Sequence, residues 1–215
     1  ASLVTVSLSA FGIHNRGTSK HYSVQEVAKI VGQDRFDSSF PITVNQKVVD
    51  QINRIVGNPK GQETLRKAMA NYKNHEGKLR SHLERYGFPE ELLSIPFVES
   101  RYKSLPASAN PKTGAAGLWQ FIASTARVYG LKDRLDLDEE TDAAMRYLGA
   151  LRLRFKDWQL AILSYNAGEG RVQAGIDQTG SRDPWVLIDE GFEGDHHYLP
   201  KVMAAVVLMK YPELR

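Results

Sequence analysis

Pro89-Glu-Glu-Leu-Leu-Ser-Ile-Pro-Phe-Val-Glu-Ser100 is the stretch on which the fold turns. Leu92, Leu93, Ile95, Phe97 and Val98 leave almost no polar face, so the segment reads as a helix buried nearly all round. Pro89 suits its first turn, where a missing N–H costs little, and Pro96 is expected to kink or tighten its last turn. The same segment ends in Glu99. A carboxylate leaving an apolar helix is costly unless it is paired or used for chemistry, which makes Glu99 a candidate general acid. The plainer reading is a helix-terminal carboxylate bonded to a nearby Arg.

Working outward, the pattern is helical almost throughout. Upstream, Leu65, Met69, Tyr72, Leu79, Leu83 and Tyr86 line one face of a long helix from Gly61 to Tyr86, with Gly87 as its stop. Ser23 with Glu26 forms a capping box for a helix ending near Gly32, and Thr43 with Gln46 repeats the device for a helix running to Gly57. Residues 3–9 alternate with a period near two, which predicts a short strand or an extended arm. Downstream, residues 101–116 carry Pro106, Pro111 and Gly114 and read as loop. Helices follow over roughly 118–129, 139–156 and 157–167, and a last apolar one over about 199–210. The fold class is therefore all-α, as an N-terminal arm and helical extension (1–87) packed on a second unit (88–215).

Composition narrows the function classes. The chain has 215 residues, 42% hydrophobic and 25% charged, ordinary globular values that argue against disorder. Its 28 basic and 25 acidic residues are interspersed, and a nucleic-acid footprint needs a concentrated basic patch, so no nucleic acid is expected as partner. There is no Cys, hence no disulfide or thiolate metal site. No run approaches the apolar length of a membrane span. The chain opens on Ala1, so it reads as a mature or trimmed product whose targeting segment is not in view. Asp189, Glu190, Glu193, Asp195, His196 and His197 cluster in one loop, but adjacent histidines rarely share a metal, and no metal or other cofactor is expected.

From Glu99 onward four motifs appear in order. They are Glu99-Ser100, Gly117-Leu-Trp-Gln-Phe121, Ser164-Tyr-Asn-Ala-Gly168 and Tyr198-Leu-Pro-Lys201, with Ser108 nine residues after Glu99. This order resembles the lytic transglycosylases of glycoside hydrolase family 23 over about residues 88–210. Leu83-Glu-Arg-Tyr-Gly-Phe-Pro-Glu-Glu-Leu92 extends the likeness upstream, more loosely, to about residue 41.

The resemblance implies a lysozyme-like domain that cleaves the β-1,4 bond between N-acetylmuramic acid and N-acetylglucosamine in peptidoglycan, leaving a 1,6-anhydromuramic end. Glu99 would be its single catalytic acid, then base, within an apolar wall for which Ile95, Phe97 and Trp119 are expected. Ser108, Gln120, Tyr165, Asn166 and Tyr198 would bind substrate or orient the acid. Gly117 is expected to allow close approach of sugar or of Glu99. Where the family usually has Met this chain has Trp119, and where relatives often carry a Glu four residues before the last motif's tyrosine it has Gly194, flanked by Glu193 and Asp195. The implied partner is a peptidoglycan glycan strand, outside the cytoplasmic membrane, with room for a membrane tether or a larger parent chain. The alternatives are a goose-type lysozyme delivering water, and a non-catalytic glycan-binding or sensor module.

Overall fold

Ser23 and Glu26 close the expected capping box. The Ser23 N–H donates to Glu26 Oε2 (2.8 Å) and the Glu26 N–H donates to Ser23 Oγ (3.3 Å), opening α1 (Val24–Val31), which Gly32 ends. The structure, a computed structural model, describes residues 20–37, 39–194 and 197–215, and the strand or arm expected at residues 3–9 lies outside them. The next helix, α2 (Gln46–Val56), is capped by Asn45 and not by Thr43. Asn45 Oδ1 accepts the Val48 N–H (3.0 Å), while the Thr43 hydroxyl is drawn into bonds with the buried Gln159 side chain.

α3 (Pro59–Tyr86) starts two residues before the expected Gly61, because Asn58 Oδ1 accepts the Gly61 N–H (2.8 Å) and Pro59 fits the first position. It stops at Gly87, whose φ of 65° lets the Phe88 N–H reach back to the Leu83 carbonyl (3.0 Å). The segment 89–100 is buried as expected but broken in two. A 3-10 turn (Glu90–Leu93) precedes α4 (Ser94–Ser100), so Pro96 stands third in α4. It therefore occupies a first turn and not the last, where its missing N–H deprives no carbonyl of a partner.

Beyond α4 come α5 (Ala123–Val128), α6 (Leu137–Phe155), α7 (Trp158–Ala167), α8 (Glu169–Thr179), α9 (Pro184–Asp189) and α10 (Tyr198–Lys210). The helix expected from 118 begins only at Ala123. α8 and α9 were not among the helices expected from the sequence, and glycines stand at 168, 170, 175 and 180. One of them has a packing reason: a Cβ at Gly175 would lie 2.7 Å from the Phe192 ring. Among the described residues extended pairing is limited to two isolated bridges, Leu105 with Gly117 and Ala116 with Phe121, and the fold is all-α.

The core is organised about α10, buried from Tyr198 to Leu208 except at Lys201 and packed against α2, α4 and α7. Small residues at Ala204 and Ala205 let neighbours approach. Around this axis, α6 packs on α7 and α3. The consequence for a site is direct: the end of α4, carrying Glu99, meets the start of α10, carrying Tyr198. Among the described residues no helix is long and apolar enough to cross a membrane.

Candidate active site

Glu99 is half-buried, next to last in α4, and forms part of the wall of a cavity of about 320 Å³. The Tyr198 hydroxyl donates to its Oε1 at 2.7 Å. Tyr198 is 2% exposed, and burial, with the Glu99 charge beside it, holds the phenol well above its ordinary pKa, so it stays a donor. The chain then reverses sharply. Arg101 and Tyr102 both take left-handed φ values (55° and 56°), a strain of about 1–3 kcal/mol each for non-glycine residues. Tyr102 is pinned by donating to the Leu93 carbonyl (2.7 Å), and Arg101 by its carbonyl accepting from Asn71 Nδ2 (3.0 Å).

Gly117–Phe121 is not a helix start but a tight turn, with Gly117 at φ 83° and Gln120 at φ 55°. Its carbonyls face the cleft elements: Leu118 O accepts from Ser100 Oγ (2.8 Å), and Trp119 O from the Tyr165 hydroxyl (2.8 Å). Gln120 lines the cavity with its amide fixed at both ends, accepting from Asn110 Nδ2 (2.7 Å) and donating to the Gly117 carbonyl (2.6 Å). The side of Gly117 on which a Cβ would stand is turned to Arg134 and Glu140. A Cβ at Gly117 would lie 2.1 Å from the Arg134 carbonyl oxygen and from Glu140 Oε2. Ile95, Phe97 and Trp119 do not line the cavity; they are core residues, and Trp119 Nε1 donates to Thr141 Oγ1 (3.1 Å). The apolar wall is instead Phe121, Ile122, Tyr147 and Tyr165, the last two with ring centroids 5.2 Å apart.

The sequence model of the transglycosylase SLT domain matches residues 78–188, just over half of the chain. The chain belongs to the transglycosylase SLT domain family. Among curated proteins, membrane-bound lytic murein transglycosylase D of Escherichia coli (strain K12) is 34% identical over 139 residues, which is 60% of this chain and 30% of that protein. Membrane-bound lytic murein transglycosylase F of Desulfosudis oleivorans is 33% identical over 98 residues (42% of this chain, 21% of that one). Peptidoglycan transglycosylase gp16 of Escherichia phage T7 is 33% identical over 108 residues (46% and 8%). The match thus spans less than a third of each of these relatives.

In this SLT domain the remaining expected residues separate. Asn166 and Tyr165 line the cavity, and the Tyr165 hydroxyl donates to the Trp119 carbonyl. Ser108 is exposed on a 3-10 turn (Ala107–Ala109) and does not line the cavity. Gly194 stands four residues before Tyr198, and a buried acid stands five before it. Glu193, 6% exposed, accepts the N–H groups of His197 (2.7 Å) and Leu199 (3.3 Å) and so caps α10. Gly194 has no room for a side chain, since its Cβ would lie 2.9 Å from Ala167 Cα, and His197 takes a left-handed φ of 77°. Asp195 and His196 lie outside the described residues. Among those described, no group of three or more His, Asp or Glu side chains is arranged to hold a metal ion.

Glu140 was missed by sequence reasoning. It is 1% exposed, and its carboxyl accepts the Trp119 N–H (3.1 Å), with the Leu118 N–H beside it. Its signal was available: Glu140, Ala144, Leu148 and Leu151 follow helical spacing on one buried face.

Proposed function

We propose that this domain is a peptidoglycan lytic transglycosylase that uses Glu99 as its one acid and base. The observation that carries the reading is the composition of the cavity wall. Among the described residues lining it, Glu99 is the one carboxylate, and a buried tyrosine hydroxyl holds it. Glycoside cleavage with an external water ordinarily recruits two carboxylates, about 5–9 Å apart. A single acid suits a substrate that supplies its own nucleophile, because an intramolecular attack needs no activated water.

The reaction is that of the family. The Glu99 carboxyl gives its proton to the glycosidic oxygen as the bond from C1 of N-acetylmuramic acid to that oxygen breaks. The departing N-acetylglucosamine keeps the proton as its 4-hydroxyl. The Glu99 carboxylate then takes the proton of the muramic C6 hydroxyl as O6 bonds to C1, which closes the 1,6-anhydro ring and restores the acid. Tyr198 keeps Oε1 in place through both halves. Gln120 makes one bond at each end of its amide, which leaves a second N–H and a second lone pair for an N-acetyl group. Asn166 and the Tyr165 ring would flank the sugar, and Ser108 would touch the glycan only beyond the cavity.

The domain would act where peptidoglycan lies, outside the cytoplasmic membrane, with a glycan strand as its partner. Relatives named as membrane-bound favour a parent chain with a tether. Digestion of purified sacculi by the wild type and by Glu99→Gln, followed by product masses, tests the reading. Anhydro ends from the wild type and none from the variant are expected. Products heavier by one water would assign a goose-type hydrolase, and equal release by both proteins would remove Glu99 from the chemistry.

A further inference from the structure

We infer that Glu140 is a positioning residue for this cleft: its buried carboxyl gathers the main-chain N–H groups of Leu118 and Trp119, bolting the Gly117–Gln120 turn against Ser100 and thereby placing Gln120 and Glu99. The inference rests on the transglycosylase reading for its activity readout alone.

Three observations carry it. First, the contact is built to be close. Gly117 has no side chain where one would overlap Glu140 Oε2 at 2.1 Å, so the turn closes directly on the carboxyl. Second, the two faces of the turn are divided between anchors. Its N–H side faces Glu140, which accepts from Trp119 with the Leu118 N–H beside it, and its carbonyls go to Ser100, the neighbour of Glu99, and to Tyr165, which lines the cavity. Releasing the N–H side leaves the left-handed φ of Gln120 held by the carbonyl anchors and its own amide bonds alone.

Third, the acid is not spent on an ion pair. Among the described residues no Lys or Arg pairs with Glu140, and its Oε1 has no hydrogen-bond partner. A buried charge so placed is unfavourable, and burial pushes the group up to about 8, with Asp136 and Asp133 adding to the rise. The other charged and titratable groups about it are Tyr165 from α7, Glu99 beyond Tyr165, and Arg134, whose guanidinium is bound to the Gly114 and Phe121 carbonyls. Near neutral pH the neutral acid therefore works as an acceptor for two amides, a task an amide side chain shares and an alkyl chain does not.

The experiment compares wild type, Glu140→Gln and Glu140→Leu for kcat and KM on a soluble glycan strand between pH 5 and 9, with amide hydrogen exchange at Leu118 and Trp119. Glu140→Leu is expected to lose about 100-fold in kcat with KM little changed, the scale of a misplacement near 1 Å, while the two amides exchange at least about tenfold faster. Glu140→Gln is expected within about threefold of wild type at pH 6, with its activity relative to wild type rising as pH passes 8. The ratio removes the titration of Glu99, which both proteins share. A folded Glu140→Leu with unaltered kcat and amide protection would overturn the inference, and so would a Gln-to-wild-type ratio flat with pH. Should the Leu variant not fold, that ratio decides. If the wild type releases no glycan product, the transglycosylase reading fails, and the exchange of the two amides still decides this one.

Discussion

Gly117→Ala is a sharp probe of how the turn is built. The added methyl would stand 2.1 Å from two oxygens, one the Arg134 main chain and the other the enclosed Glu140 carboxyl, and neither is a flexible tip that can swing aside. Holding Ala at a φ of 83° costs about 1–2 kcal/mol. Forcing a methyl into a filled space adds about 1–3 kcal/mol, and loosening the Leu118 and Trp119 amides from Glu140 adds about 1 kcal/mol more. The expected loss is near 4 kcal/mol, a large part of the roughly 5–15 kcal/mol that holds a domain folded. Two other glycines separate these contributions. Gly180→Ala shares the left-handed backbone (φ 67°) but meets nothing within 4 Å, so it should cost about 1 kcal/mol. Gly77→Ala, inside α3 with open space around it, should gain about 1 kcal/mol. Urea unfolding at constant m-value is the assay, and the melting temperature should fall by about 10 °C for Gly117→Ala against about 3 °C either way for the others. Equal losses at positions 117 and 180, or a Gly117→Ala protein within 1 kcal/mol of wild type, would show that the carboxyl does not lie against the turn.

Tyr198→Phe removes the 2.7 Å bond to Glu99 while filling the same space, so kcat/KM on glycan should fall about tenfold to 100-fold with little change in melting temperature; unchanged kinetics would mean that the hydroxyl does not hold the acid. Glu193→Ala frees the N–H groups of His197 and Leu199 and should cost about 1–2 kcal/mol in urea unfolding, with an activity loss in the direction of Tyr198→Phe. Stability should also depend on pH through Glu140. Its affinity for the proton is raised on folding, from the ordinary 4.5 to about 8, so its stabilisation is full below pH 4.5 and is lost as pH rises towards 8. At 1.36 kcal/mol for each tenfold change in proton affinity, the wild type should lose up to about 5 kcal/mol relative to Glu140→Gln across that window. Urea unfolding at pH 5 and pH 8.5 measures it, and a constant difference would contradict the assignment.

What could be read from the chain alone divides by the distance over which the causes act. The Ser23–Glu26 box and the Gly87 stop were legible because both partners of each bond lie within a few residues. Thr43 failed as a cap for a non-local reason, since its hydroxyl answers to Gln159, more than a hundred residues on. Gly117–Phe121 failed in the same way: beside the Gln120–Gly117 bond within the turn, the groups that hold its bend are Glu140, Ser100 and Tyr165, all outside it. At the site, the family resemblance implied that Tyr198 orients Glu99, and the structure brings the two within a hydrogen bond. The wall residues were misjudged because hydrophobicity marks Ile95 and Trp119 as buried without saying which side of the core they face. The role of Glu193 was hidden because it binds main-chain groups, which every residue carries.

The burial of α10 also bears on where this polypeptide may be cut. A fragment limited to residues 78–188, the span that the family shares, would keep Glu99, Gln120, Glu140 and Tyr165. It would lose Tyr198 together with the helix that covers α4, and on the far side of that helix it would lose α2. Leu92, Leu93, Ile95 and Phe97 would then face water, so such a fragment is an aggregation hazard and not a smaller enzyme. A piece fit for grafting into another chain reaches from α1 through Arg215, since Val27, Val31 and Leu214 share this core, and is longer at both ends than the shared span.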